Sequence, residues 1–301
     1  MKVILAGVCK NIEKCMPYAI AGFYKLAQHM DCRAIFYENN STDNTSKILK
    51  EWMKRDARVV ALTETLTHEE LLNMCRARTC DNQPCRMELI ARARNKVMEY
   101  MEREEYDDVE YIIMFDMDNT EEIPVDAIVK VLNTYKDFDA LICRGGVGGD
   151  FYDHYAFRNS DYPMGPEYIG DAFWHPANIY KTTHSTVGSK EKLIPVYSAF
   201  NGLAILRKAA VKGVRYKSEP TRALHDLYVR YKDKHPMNNI KTHYEGILCG
   251  IYLFDNNIWF YNNSGYNYPV VCEHVTFFLD MRSNGHDRIY MCTDLVWNFN
   301  R

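Results

Sequence analysis

No stretch of this chain approaches the roughly 18 consecutive apolar residues that a membrane-spanning helix needs, so no membrane span is expected. Charge of one sign is also scarce: 37 Lys and Arg stand against 40 Asp and Glu, a net charge of -3. That balance gives no support for nucleic acid or an anionic membrane as the main partner. Internal repeats, low-complexity tracts and linkers are lacking, so the 301 residues are expected to form one domain. The apolar run in Met1–Val8 is too short for a signal peptide and has no small-residue cleavage site; it reads as a strand, and the expected location is the cytoplasm. The ten cysteines form no disulfide pattern, since most lie in apolar runs such as Leu141-Ile142-Cys143, where Cys acts as a small hydrophobe. Cys75, Cys80 and Cys85, near His68, sit in a polar loop, but a zinc site would use tighter pairs. Sequons begin at Asn39, Asn40 and Asn44, where a glycan would block the site argued below.

What is present centres on Tyr111-Ile112-Ile113-Met114-Phe115-Asp116-Met117-Asp118. The apolar run reads as a buried strand that ends in two carboxylates two residues apart. Side chains alternate along a strand, so Asp116 and Asp118 are expected on the same side of its carboxyl end. In open α/β sheets ligands bind at that end. Two close carboxylates repel unless a cation lies between them, which points to Mg²⁺ or Mn²⁺.

Strands at 2–8, 34–37, 59–62 and 140–143 alternate with helical patterns, which predicts α/β architecture with a mostly parallel sheet. The helix from Arg86 to Glu104 places Arg94 among its apolar positions, a costly arrangement unless an anion or carboxylate meets it. Pro124 opens a short helix through Leu132. From Arg144 to about Ser198 periodicity fades into an aromatic segment with Phe151-Tyr152-Asp153, Phe157-Arg158 and Phe173-Trp174-His175, as a surface for sugars or bases would have. Order resumes with Asn201-Gly202-Leu203, His243-Tyr244-Glu245, Ile258-Trp259-Phe260-Tyr261 and Cys272-Glu273-His274.

These motifs carry a family resemblance. Tyr37-Glu38 with Ser41 and Asp43, then Leu89-Ile90-Ala91-Arg92-Ala93-Arg94-Asn95, then the D-x-D strand, then Phe157-Arg158 and Asn201-Gly202-Leu203, resemble GT-A fold glycosyltransferases. More narrowly, they are similar to the fungal capsule-associated, mannosyltransferase-like family and to enzymes of large DNA viruses, which would place the chain in a host cytoplasm. The resemblance implies a Rossmann-like sheet flanked by helices, with a nucleotide-binding half at 1–143 and an acceptor-binding half at 144–301. It implies a nucleotide-sugar donor, a divalent metal and a carbohydrate acceptor. Ala6, Gly7, Val8, Glu38 and Asn40 would meet the base or ribose, and Arg94 and Asn95 the nucleotide or its diphosphate. Asp116 would face the ribose and metal, Asp118 would ligate the metal directly, and His274, or failing that His243, would complete the shell. Glu245 is the first choice for the catalytic carboxylate, with Asp153 and Asp171 in reserve.

Asp116-x-Asp118-x-Thr120 also matches the opening motif of haloacid-dehalogenase-like phosphatases, with Gly149-Asp150 and Asp153 as the later acids. That motif normally ends the first strand of its fold, whereas three strands precede it here. A non-catalytic sugar- or nucleotide-binding module is the third reading.

Overall fold

The computed structural model describes residues 1–145, 151–176, 189–233, 252–254, 258–260 and 265–298. The first half alternates strand and helix as its hydrophobic pattern predicts. β1 (Lys2–Cys9) leads to α1 (Met16–Leu26), β2 (Asp31–Asn39) to α2 (Thr45–Arg55), and β3 (Val59–Glu64) to the short α3 (His68–Asn73). Then come α4 (Arg86–Met101), β4 (Tyr111–Phe115), α5 (Val125–Thr134) and β5 (Ala140–Cys143). The second half supplies α6 (Pro166–Ile169), β6 (Leu193–Pro195), β7 (Leu203–Arg207) and α7 (Arg222–Tyr231). It ends with a separate β8 (Tyr252–Phe254) and β9 (Ile258–Phe260) hairpin, α8 (Glu273–Ser283) and β10 (Ile289–Cys292).

Eight strands form one sheet in the order β3-β2-β1-β4-β7-β5-β10-β6. The neighbours β3, β2, β1 and β4 all run parallel, as does the β5–β10 pair. β7 runs antiparallel between β4 and β5, and β6 is an antiparallel edge. The expected α/β class with a mostly parallel, helix-flanked sheet is what the chain forms. Strands from 1–143 and from 144–301 interleave in it, because β7 inserts beside the D-x-D strand.

Period-two alternation builds a core on each face of the sheet. Ile4, Ala6, Ile112 and Met114 pack with Val97 and Met98 of α4 and Phe277 and Phe278 of α8. Val3, Leu5, Ile113 and Phe115 pack on the other face with Phe23, Trp52 and Leu132. α3 has few apolar positions and those of α8 are distributed nearly all round, so neither shows a clear apolar face in the sequence. No helix among the described residues is long and apolar enough to cross a membrane.

Candidate active site

A cavity of about 540 Å³ opens at the carboxyl ends of β1, β2 and β4, within the size range of small-ligand sites. β4 stops where its apolar run stops, and the next residues, Asp116 and Asp118, both line this cavity as their spacing requires. The Asp116 backbone N–H donates to the Gly202 carbonyl (2.8 Å), so β7 fixes the turn from the antiparallel side.

Arg94 explains itself here. It is 4% exposed on α4, and its guanidinium meets Asp116 (Nη2–Oδ1, 3.3 Å) and Glu273 (Nε–Oε1, 3.3 Å). The rings of Phe200 and Tyr216 lie 5.1 and 5.7 Å from its guanidinium carbon. Burial opposes the charge, but Glu273 and Asp116 more than offset it and hold Arg94 protonated. Its Nη1 is buried with no hydrogen-bond partner among the described residues. Tyr152 donates its hydroxyl to the other oxygen of Asp116 (3.1 Å). Burial raises the Asp116 pKa; Arg94 opposes that shift and Asp118 adds to it.

His274, the second residue of α8, lines the cavity and is 2% exposed. Its ring stacks on Phe200 at 3.8 Å and 10°, and Tyr216 meets it edge-on at 5.5 Å. Both ring nitrogens are buried and make no hydrogen bond among the described residues, although Nε2 stands 3.6 Å from Glu273 Oε1. Burial, reinforced by Arg94, pushes its pKa well below the ordinary range, so the imidazole is neutral, the form that ligates metals. Partnerless buried nitrogens are uncommon in native structures, and an exogenous group that satisfies one would remove the cost. Among the described residues no three His, Cys, Asp or Glu side chains form a ready-made cage. A divalent ion with few protein ligands completes its shell with water and phosphate oxygens, so Asp118, His274 and Asp116 suit such an ion with a diphosphate.

Asp153 also lines the cavity. Its backbone N–H reaches Asn201 Oδ1 (3.4 Å) and its Oδ1 accepts from the Ala156 N–H (3.1 Å). Burial first, then Glu273 and Asp116, raise its pKa to about 7. Glu245 and His243 lie outside the described residues, and so does the Asp171 side chain.

Several residues expected at the nucleotide do not line this cavity. Of Ala6, Gly7 and Val8 only Val8 lines the cavity. Ala6 is fully buried in the core, and Gly7 is small because Met117 packs against it: a Cβ there would fall 2.8 Å from the Met117 side chain. Glu38 is 2% exposed and accepts from the Ser41 N–H (2.8 Å), while Asn40, at φ 56°, is tied to Leu66. Both shape a turn, and Asn39 lines the cavity instead. The Asn/Ser/Thr/Asp run after β2 clasps the loop after β1. Asn11, Ile12 and Glu13 donate backbone N–H groups to Ser41, Thr45 and Asp43 at 2.8–3.0 Å. Asn95 turns away and brackets Tyr216, donating to its carbonyl (2.9 Å) and accepting from its N–H (2.8 Å).

Glu273, Tyr152, Phe200 and Tyr216 were not singled out in the sequence for the roles they take here. Glu273 had a signal as the neighbour of His274, and Tyr152 as part of the aromatic Phe151-Tyr152-Asp153 motif. Lys10 and Arg86 add two further cations to the cavity wall. Cys75 and Cys85 pack with Ala77 and Val270, and burial raises the Cys75 thiol to about 12. The phosphatase reading finds no support: Asp116 follows the fourth strand, not the first. Gly149-Asp150 lies outside the described residues.

Among solved structures, the mannosyltransferase PcManGT of Pyrobaculum calidifontis, in complex with GDP-Man and Mn²⁺, is 11% identical, with a TM-score of 0.41 over 72% of this chain and 47% of that one. Staphylococcus aureus TarS 1-349 with UDP-GlcNAc is 12% identical, with a TM-score of 0.44 over 100% and 59%. Glucosyl-3-phosphoglycerate synthase of Mycobacterium tuberculosis, with Mn²⁺, UDP and glucosyl-3-phosphoglycerate, is 12% identical, with a TM-score of 0.39 over 79% and 67%. The chain thus spans about half the length of the first of these. No curated protein matches the sequence. The sequence profile of the family described as Cryptococcal mannosyltransferase 1 matches residues 2–230. Matched over well more than half its length, the chain belongs to that family.

Proposed function

We propose that the protein is a metal-dependent glycosyltransferase that moves a sugar, mannose by its family, from a nucleotide-sugar to a hydroxyl of a carbohydrate acceptor. One observation carries the reading: Arg94 ties the D-x-D turn to the start of α8, so Asp116, Asp118 and a neutral His274 with no hydrogen bond among the described residues line one cavity. Asp118 and His274, with Asp116 beside them, would hold the metal. When bound, a divalent cation neutralises charge on a diphosphate leaving group.

The chain's own residues do the rest. Arg94, locked between two carboxylates and two rings, sets the distance between β4 and α8 and keeps a buried N–H for a phosphate oxygen. Lys10 and Arg86 on the cavity wall lower the cost of bringing in a dianion. Asp153 can take the acceptor's proton at Oδ2, because Oδ1 is held by the Ala156 N–H. Its pKa of about 7 suits a base working near neutrality. Residues 1–143 supply the D-x-D turn, Arg94 and the β1 and β2 ends, and 144–301 supply Asp153 and His274. We read the chain as one domain with a donor half and an acceptor half.

Thermal melting with UDP-, GDP- and CDP-sugars, with and without Mn²⁺, tests the proposal. Binding to the folded state alone adds about 2.7 kcal/mol at a hundredfold excess over the dissociation constant. A Mn²⁺-dependent rise with one nucleotide class, lost in Asp118→Ala, is expected. No rise with any nucleotide sinks the reading.

A further inference from the structure

Trp174 is 41% exposed, whereas Trp52 and Trp297 are each 4% exposed. Leaving so large a ring in water forgoes its burial, though one exposed ring by itself is ordinary at a surface. The ring does not stand alone. It lies 5.8 Å from Tyr155, which lines the cavity, and Phe173 meets it edge-on at 4.8 Å.

Beneath these rings is a charged framework with no solvent contact. Arg158 and Glu167 are both 0% exposed and paired at 3.1 Å, and the Tyr228 hydroxyl donates to the same carboxylate. Arg158 Nη1 donates to the carbonyls of Tyr155 (3.0 Å) and Phe157 (2.7 Å), and its guanidinium sits over the Phe173 ring at 5.5 Å. A buried ion pair is a poor source of net stability, since desolvation cancels much of its attraction. What this one does is fix the backbone that carries Tyr155 and the ring that supports Trp174. The Tyr155 hydroxyl is tied to the Val270 carbonyl (2.9 Å), which fixes that ring in turn.

We propose that Tyr155 and Trp174 form a stacking platform for a sugar ring of an oligosaccharide acceptor, at the rim of the cavity. The proposal rests on the glycosyl-transfer reading and names the residues that hold its acceptor. A pyranose presents an apolar C–H face with hydroxyls around its edge, which suits rigid amphipathic rings of this kind. Continuity with the reaction centre favours a sugar as occupant: Tyr155 and Asp153, the proposed proton acceptor, line the same cavity.

The test is titration of the protein with mannotriose, maltotriose and chitotriose by calorimetry, for wild type, Trp174→Phe and Trp174→Ala, with donor-induced thermal shifts measured in parallel. The platform predicts that one trisaccharide binds the wild type. Trp174→Ala should weaken it by about tenfold or more, the equivalent of one good contact, and Trp174→Phe by less. The donor shift and the ligand-free melting temperature should stay unchanged. Equal binding by wild type and Trp174→Ala, or no binding of any trisaccharide, overturns the platform. A Trp174-dependent saccharide response without any nucleotide-induced shift upholds the platform and refutes the transferase reading.

Discussion

Replacing Asp153 with Asn should stabilise the protein at alkaline pH while removing its activity. Asp153 lies among Glu273, Asp116 and Arg94, and burial and the two carboxylates raise its pKa from 3.8 to about 7. The folded protein therefore binds the Asp153 proton more tightly than the unfolded chain does. Between pH 3.8 and about 7 the folded state carries more protons, so stability falls as pH rises through that window and is flat above it. The slope approaches about 1.4 kcal/mol per pH unit and halves at the folded pKa, so the stability lost between pH 5 and 7 is about 2 kcal/mol, an upper figure for a site that can relax. Asn keeps the oxygen that accepts from Ala156 and carries no charge at any pH. The advantage of Asp153→Asn over wild type should thus grow by up to about 2 kcal/mol from pH 5 to 7, roughly 3 to 4 °C in melting temperature at about 2.1 cal/mol/K of unfolding entropy per residue. Melting curves for both proteins in half-unit steps from pH 5 to 9 measure that difference. A gap independent of pH refutes the argument, because Asp153 would then titrate alike in both states. A stabilised variant that keeps full transferase activity refutes its assignment as the proton acceptor.

The other predictions separate structural from functional roles. Asn95→Ala removes two hydrogen bonds to Tyr216 and should cost about 1–3 kcal/mol of stability in a denaturant titration. Its donor affinity should hold; unaltered stability with much weaker donor binding would return Asn95 to the nucleotide site. Gly165→Ala places a methyl group against Arg158 Nη2 and the Glu167 carboxylate, so the buried pair must part at a cost of about 3–5 kcal/mol. A Gly165→Ala protein that melts like wild type shows that the framework yields more easily than its burial implies.

Much of this protein was written in short-range pattern. The apolar strand that breaks into Asp116-x-Asp118 fixed where the cavity opens, because period-two alternation and the polarity switch are properties of five to eight residues. Arg94 was legible as an anomaly, since a charge at an apolar helical position demands a partner, but helical periodicity cannot say which. The fold supplied Asp116, 22 positions onward, and Glu273, 179 positions onward. Sequence proximity misled where side chains bond locally. Glu38 and Asn40 share a motif with the site yet close a turn, and Asn95, one residue from Arg94, is rotated about 100° round the helix to face Tyr216. What only tertiary structure decided is the company of each charge. Strand insertion of β7 beside β4 and docking of α8 on α4 bring Glu273, His274 and Phe200 to Arg94, and no local pattern encodes contacts over such separations.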